Sequence, residues 1–414
     1  MQILVSINAH SRKFNHLILQ DKIILDIFVT ESMKIIEIIS LTAAMLLFDG
    51  GREIMSQELD FPPRWADDFR NVMPLYRNDT VTVRFLGDIM VHQRQIEDAH
   101  QKDGTYDFSS YFKHLEDKIG NADIAVANME FTLAGEPHTG YPAFSAPDEI
   151  ADYMAECGVD VFLTANNHIY DKGTAGAERT LKMYRQLRES HGVRFTGIAS
   201  DISERESNHP LIIRVGDIRL AFVNMTYMTN GGKRSGWPKV SYLDDQEDLR
   251  EAFEKAKSEQ VDLIIALPHW GEEYELIPSE SQKTKAASLV DMGAGLIIGA
   301  HPHVIQAIED TGGVQTAYSL GNAVSNMSAR NTRLGLMLTA RIVRRADGSV
   351  KVLPLEAEFL WCSLPWNFAE HYTVLPVKEF LGKKELWINK ADYDNMVVTY
   401  ERVKSITEIQ DREK

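Results

Sequence analysis

Cysteine is nearly missing: the 414 residues hold 2, Cys157 and Cys362. Two thiols build neither a disulfide framework nor a zinc ribbon, and leave room for one optional bridge at most. Positive charge is also short, with 44 Lys and Arg against 60 Asp and Glu and a formal net charge of −16. Binding to a phosphate backbone needs a basic field, so this balance argues against a nucleic-acid partner. Internal repeats and low-complexity tracts are absent. Apolar runs long enough to cross a membrane are absent too. The most apolar stretch, Met33 to Phe48, has the length of a signal-peptide core and falls short of a membrane span. With 44% hydrophobic and 25% charged residues, the chain has the composition of a globular protein large enough for a substantial core.

The stretch from Met33 opens with Lys34 and is followed by Gly50, Gly51 and polar sequence. It predicts export. Residues 1–32 read as an upstream extension, 33–55 as a signal peptide starting at Met33, and 56–80 as a leader on the domain surface. The mature protein is then expected in the periplasm or cell envelope, with no integral membrane span. Glu37 lies inside the run and no A-x-A cleavage site follows it, so a buried N-terminal helix is the competing reading. No cysteine follows the run, which gives no support to a lipid anchor.

From Val81 onward, short apolar runs alternate with loops rich in Gly, Asn, Pro and His, and then with amphipathic stretches. That rhythm predicts α/β units. The runs 81–85, 123–126, 159–163, 263–266, 296–298 and 315–318 read as strands. The stretches 148–156, 178–189 and 248–257 read as helices, the first with Gly158 just past its end. Residues 334–343 and 350–359 look like strands of a second sheet.

Each strand in this series delivers a metal-capable or proton-transferring side chain to its carboxyl end, the edge where open α/β sheets bind ligands. The residues are Asp88, Glu130, Asn167, His168, His269, His301 and His303. Carboxylate, amide oxygen and neutral imidazole suit divalent manganese, zinc or iron. A carboxylate bridging two such ions gives a hydrolytic centre, with His168 placed as general acid. Taken singly, these residues have ordinary explanations. Asp88 could cap a helix, Asn166 and Asn167 could form a turn, and His269 could be a packed histidine. The strongest single element is His301-Pro302-His303, two imidazoles just after an apolar strand and a glycine. His92, His100, His114, His138, His191 and His209 read as surface residues. Glu272 and Glu273 read as solvated charges or as partners of His269. Tyr227, Trp237 and Trp270 supply an aromatic rim for a competing reading, a sugar- or peptide-polymer binding module.

The order of motifs resembles the CapA (bacterial capsule synthesis, PGA_cap) family. The resemblance is carried by Gly87-Asp88-Ile89-Met90, Asn128-Met129-Glu130, Asn166-Asn167-His168 with Asp171 and Gly173, and His269-Trp270-Gly271-Glu272-Glu273-Tyr274. It continues through Gly299-Ala300-His301-Pro302-His303-Val304 with Gln306, and Ser319-Leu320-Gly321-Asn322. It implies a calcineurin-like metallophosphatase sandwich, two mixed β-sheets flanked by helices, over residues 81–362, with 363–414 an unassigned C-terminal extension. By the same resemblance Asp88, Glu130, Asn167, His269, His301 and His303 would hold one or two divalent ions. His168 and Asp171 would be catalytic, with Asn128, Glu273 and Asn322 supporting the ligands. The substrate would be a phosphoester or an envelope polymer such as poly-γ-glutamate, handled together with capsule-synthesis machinery. Two departures matter. Phosphatases carry Asp-x-His in the first motif, whereas Asp88 is followed by Ile89-Met90 and the nearest histidine is His92. The bridging position reads Asn128-Met129-Glu130 rather than Gly-Asp. Both departures leave room for a mononuclear or remodelled site, and for a non-catalytic assembly protein.

Overall fold

Alternation along the strand Thr80–Ile89 shows why the chain folds in layers. Val81, Val83 and Phe85 enter one apolar cluster, and Leu86 and Ile89 enter another. Successive side chains of a strand point to opposite faces, so this strand is covered on both. The computed structural model describes residues 80–411. The upstream extension, the signal peptide and nearly all of the leader expected in the sequence lie outside the described residues.

Nine strands form the first sheet. Its main path runs Thr373–Pro376, Glu356–Ser363, Leu334–Arg344, Thr80–Ile89, Ile124–Met129, Val161–Leu163 and Arg194–Thr196. Six form the second, in the order Ile308–Thr311, Val314–Ala317, Leu296–Ile298, Leu263–His269, Ile218–Thr226 and Leu211–Val215. Both sheets mix parallel and antiparallel pairs. Between them lies a cluster that takes Val83, Val126 and Leu336 from the first sheet and Phe222, Ile265 and Ile298 from the second. The outer face of the first sheet is covered by the helices Glu149–Glu156 and Gly173–His191, through Ile150, Met154, Leu181 and Tyr184. The helices Gln246–Ser258 and Glu280–Met292 cover the second through Leu249, Phe253, Ala286 and Leu289. The result is the expected α/β class, two mixed sheets packed face to face and flanked by helices.

The C-terminal strands differ from expectation. Leu334–Arg344 pairs antiparallel with Thr80–Ile89 and so belongs to the first sheet, not to a second one. Its alternate residues Leu334, Leu336, Leu338, Ala340 and Ile342 bury on the same side as Val81 and Val83. The run 350–359 is broken into Val350–Val352 and Glu356–Ser363. Pro354 lies in the gap, where a residue without an N–H cannot join a ladder. Beyond residue 362, Thr373–Pro376 forms the sheet edge and the helix Lys390–Thr407 packs Met396, Tyr400 and Val403 into the inter-sheet cluster. Cys157 and Cys362 are both buried free thiols, so the optional bridge is not formed. Among the described residues no helix is long and apolar enough to cross a membrane.

Candidate metal centre

Strand register assembles the site. Asp88 pairs with Asn128 on one side and Asn322 on the other, at the carboxyl end of the first sheet. Thr226 pairs with His269, and His269 bridges to Ala300, at the matching end of the second sheet. The tight crossing beside Asp88 needs a glycine. A Cβ on Gly87 would lie 2.0 Å from the Gly321 carbonyl oxygen, and the Asp88 N–H donates to that oxygen at 2.9 Å.

All of Asp88, Glu130, Asn167, His168, His269, His301 and His303 are buried and face one another across the two sheet ends. Five of them fall into two groups of converging ligand atoms. One comprises Glu130, His269 and His301, the other Asp88, Glu130 and His303. Glu130 is common to both. Its Oε1 lies 3.5 Å from His269 Nε2 and 3.7 Å from His303 Nε2. Asn167 Oδ1 joins the first group at 2.8 Å from His269 Nε2. A third group links the exposed Glu273 with His301 and His303. His301 and His303 hold their rings inward at the expense of backbone comfort, with φ of 99° and 58°. That is the left-handed region side chains seldom occupy, and such strain gathers at functional sites.

The donor set has the chemistry of a cation site. Glu130 Oε1 and His301 Nδ1 are buried with no hydrogen-bond partner among the described residues, a state that is unfavourable unless something else satisfies them. Burial, and then the Asp88 carboxylate, push the Glu130 carboxyl well above its ordinary range. Burial, with neighbouring histidines, holds His269 and His301 well below theirs, as neutral lone-pair donors. Two carboxylates and neutral imidazoles around unsatisfied atoms fit a divalent ion.

Asparagines orient the candidate ligands. Asn128 Nδ2 donates to Asp88 Oδ1 at 2.7 Å and lies 3.4 Å from Glu130 Oε2. Asn322 Oδ1 lies 3.0 Å from His303 Nδ1. Beside these groups His168 Nδ1 donates to Asp171 Oδ2 at 2.6 Å, with the Phe144 ring edge-on at 4.6 Å. Asp171 also accepts from the Phe144 N–H at 2.8 Å and from Asn230 Nδ2 at 3.1 Å. The Asn230 N–H in turn donates to the Asn167 carbonyl at 2.7 Å. Asn230 has no counterpart in the sequence reading. It lies in a glycine-rich loop with no periodicity, and nothing local marks it.

Three other expectations need correction. His92 is half-buried rather than a surface residue. It caps the helix Gln93–Ala99, accepts from the Asn326 N–H at 3.3 Å, and is lowered by burial to about 4. His209 is buried, 3.5 Å from Asp248. Trp270 is fully buried, with Nε1 donating to the Tyr318 carbonyl at 2.9 Å, so it packs the core and offers no rim. Of the other proposed rim residues, Tyr227 lies against the His301 ring at 4.8 Å.

The family model described as bacterial capsule synthesis protein PGA_cap matches residues 82–327. The capsule biosynthesis protein CapA of Bacillus anthracis is 26% identical over 306 residues, which cover 71% of this chain and 72% of that protein. The PGA biosynthesis protein CapA of Bacillus subtilis (strain 168) is 26% identical over 292 residues, 68% of this chain and 73% of its own length. Among solved structures, the calcineurin-like phosphoesterase YfkN from Bacillus subtilis aligns with a TM-score of 0.42 at 14% identity, covering 80% of this chain and 99% of that one.

Proposed function

The chain belongs to the bacterial capsule synthesis protein PGA_cap family, and on that premise we propose that it acts on a capsule or envelope polymer, or on a phosphoester, as an exported metal-dependent hydrolase. One observation carries the reading: a buried oxygen of Glu130, with no hydrogen-bond partner among the described residues, lies where two groups of candidate ligand atoms meet. Glu130, Asn167, His269 and His301 would hold one divalent ion, and Asp88, Glu130 and His303 a second. Bound there, such ions would supply Lewis acidity and the activation of water near neutral pH.

The chain's own residues do the rest. Asp171 takes the Nδ1 proton of His168 in a hydrogen bond, which fixes the ring and leaves Nε2 as the atom that exchanges a proton with a leaving oxygen. Asn230 and the Phe144 N–H hold Asp171 in turn. Phe144 and the buried setting exclude water from the ring. Export is supported by the apolar run from Met33 to Phe48. The names of the Bacillus relatives support poly-γ-glutamate as the polymer to try first.

Elemental analysis of the purified protein, beside His301→Ala and His303→Ala, is the direct test. Near-stoichiometric metal that both variants lose, with turnover of a phosphodiester, phosphomonoester or poly-γ-glutamate that His168→Ala lowers by about 10²-fold or more, is the expected result. A folded protein that takes up no manganese, zinc or iron overturns it.

Met90 favours a second reading. Where a phosphatase first motif carries histidine, Met90 is buried and offers no imidazole, so the group around Asp88 has three side chains only. A non-catalytic assembly protein would keep such a site. In that case His168→Ala should leave the capsule phenotype intact.

A further inference from the structure

Away from the metal centre, a cavity of about 270 Å³ opens between the helices Ile202–Asn208 and Gln246–Ser258. Its floor is made of Arg205, His209 and Asp248, each more than nine-tenths buried. Arg205 donates to Asp248 Oδ1, where Lys239 Nζ also lies at 3.2 Å. His209 Nε2 lies 3.5 Å from Asp248 Oδ2, too far for a good hydrogen bond, and that buried oxygen accepts none. The walls are Trp237 and Ile202, which leave 42% and 62% of their surfaces to water. Glu206, Glu251 and Lys255 complete the rim. Glu206 and Glu251 form no ion pair among the described residues.

An ion-pair cluster that merely joins two helices explains Arg205 and Asp248. It does not explain an indole left in water beside them, or a buried carboxylate oxygen whose nearest donor, His209 Nε2, stands off at 3.5 Å. The mixture of charges excludes a uniform field. Asp248, Glu206 and Glu251 would repel a polyanion, and Arg205, Lys239 and Lys255 a polycation. A hydroxyl group both donates and accepts, so a polyhydroxylated neutral ligand satisfies carboxylates and ammonium groups side by side. The flat apolar face of a sugar ring matches an exposed indole, a side chain with an apolar body and a polar edge.

We propose that this cavity is a saccharide subsite, taking a unit of a neutral glycan with its ring against Trp237 and its hydroxyls on Asp248, Glu251 and Lys239. The site is tied to the metal centre through the chain. Trp237 follows Asn230 by seven positions, and Asn230 touches His168 and Asp171. Seven residues span at most roughly 25 Å, which bounds the distance from Trp237 to the loop that holds His168. Binding here does not depend on metal chemistry and goes beyond the hydrolase reading.

Calorimetric titration of the full chain, before and after EDTA, tests it with neutral trisaccharides of glucose and of N-acetylglucosamine and with oligo-γ-glutamate. Saturable binding of a neutral trisaccharide is expected, unchanged by EDTA. Trp237→Ala should weaken it by about tenfold or more, as aromatic anchors do, and Glu251→Gln to a lesser degree. Both side chains are exposed, so each variant should keep the wild-type Tm and metal content. Absence of glycan binding, glycan binding that Trp237→Ala leaves intact, or capture of oligo-γ-glutamate that Trp237→Ala abolishes overturns the proposal. Failure of the hydrolase reading shows instead as missing metal or turnover, with glycan binding unaffected.

Discussion

Asn322 fixes the tautomer of His303. Its Nδ2 donates to the Thr332 carbonyl at 2.9 Å, so its Oδ1 must be the atom 3.0 Å from His303 Nδ1. An amide oxygen only accepts, which places the proton on Nδ1 and leaves the Nε2 lone pair toward Glu130, 3.7 Å away. Such partners typically change metal affinity by about 10–100-fold. Asn322→Leu should therefore weaken manganese or zinc binding by about that factor in chelator competition. Asn322→Asp, which keeps the acceptor, should lose less. Equal affinities in all three proteins would remove Asn322 from the account.

If His168 is the proton donor proposed above, it is expected to behave as the end of a chain of support. His168→Ala should lower kcat by about 10²–10⁴, the usual worth of a positioned general acid, with metal content unchanged. Asp171→Asn loses the acceptor for His168 Nδ1 and should follow closely. Asn230→Ala leaves the 2.6 Å bond between His168 and Asp171 in place and removes one donor to Asp171, so roughly a tenfold loss is expected. Steady-state kinetics on metal-replete protein checks the order. A fall in metal content in step with kcat would reassign the effect to the ion site.

The convergence of these side chains could be read from sequence because each candidate ligand follows an apolar strand directly. Asp88, Glu130, His269 and His301 each mark the point where a hydrophobic run gives way to a loop, and strand ends on one side of a sheet converge. Sheet membership was not readable in the same way. Leu334–Arg344 alternates like any half-buried strand, and nothing local says that its neighbour is Thr80–Ile89, more than 200 positions earlier. Nor does composition mark Asn230, whose role arises only because a loop from the second sheet crosses to Asn167. The burial of His209 and His92 was not readable either. Each borders an apolar run, Ile89-Met90-Val91 before His92 and Leu211-Ile212-Ile213 after His209, but the groups that lie against them, Asp248 for His209 and Phe144 and Asn326 for His92, are distant along the chain.

Backbone strain at His301 gives a stability prediction. With φ at 99°, any side chain there is disfavoured, whereas glycine occupies the region freely. Both His301→Gly and His301→Ala delete the imidazole. In metal-free protein the glycine variant should nevertheless be the more stable by about 1 kcal/mol in denaturant unfolding. Equal stabilities would mean that the loop relaxes once the ring is gone.

The pH dependence of the metal-free protein follows from opposing shifts. His269 and His301 are held well below the usual imidazole value by burial. Below about pH 6.5 the unfolded chain therefore binds protons that the folded chain does not, and stability falls as pH falls. Glu130 is pushed the other way, first by burial and then by Asp88. Above its ordinary pKa of about 4.3 the folded chain keeps a proton that the unfolded chain has released, so its contribution falls as pH rises. Between these values His269 and His301, joined by the lowered His92, oppose one carboxyl and stability should rise with pH. Above about 6.5 the carboxyl acts alone and this part of the curve should turn down. Glu130→Gln removes the downturn, because an amide holds no titrating proton, and comparison of the two pH profiles by thermal unfolding isolates it from the other acidic groups. Metal binding should reverse the slope of the wild type, since an ion displaces the Glu130 proton and binds more tightly as pH rises. A wild-type profile that matches Glu130→Gln with and without metal would show that Glu130 is ionised in the folded apoprotein, against a Glu130 carboxyl raised by burial and by Asp88.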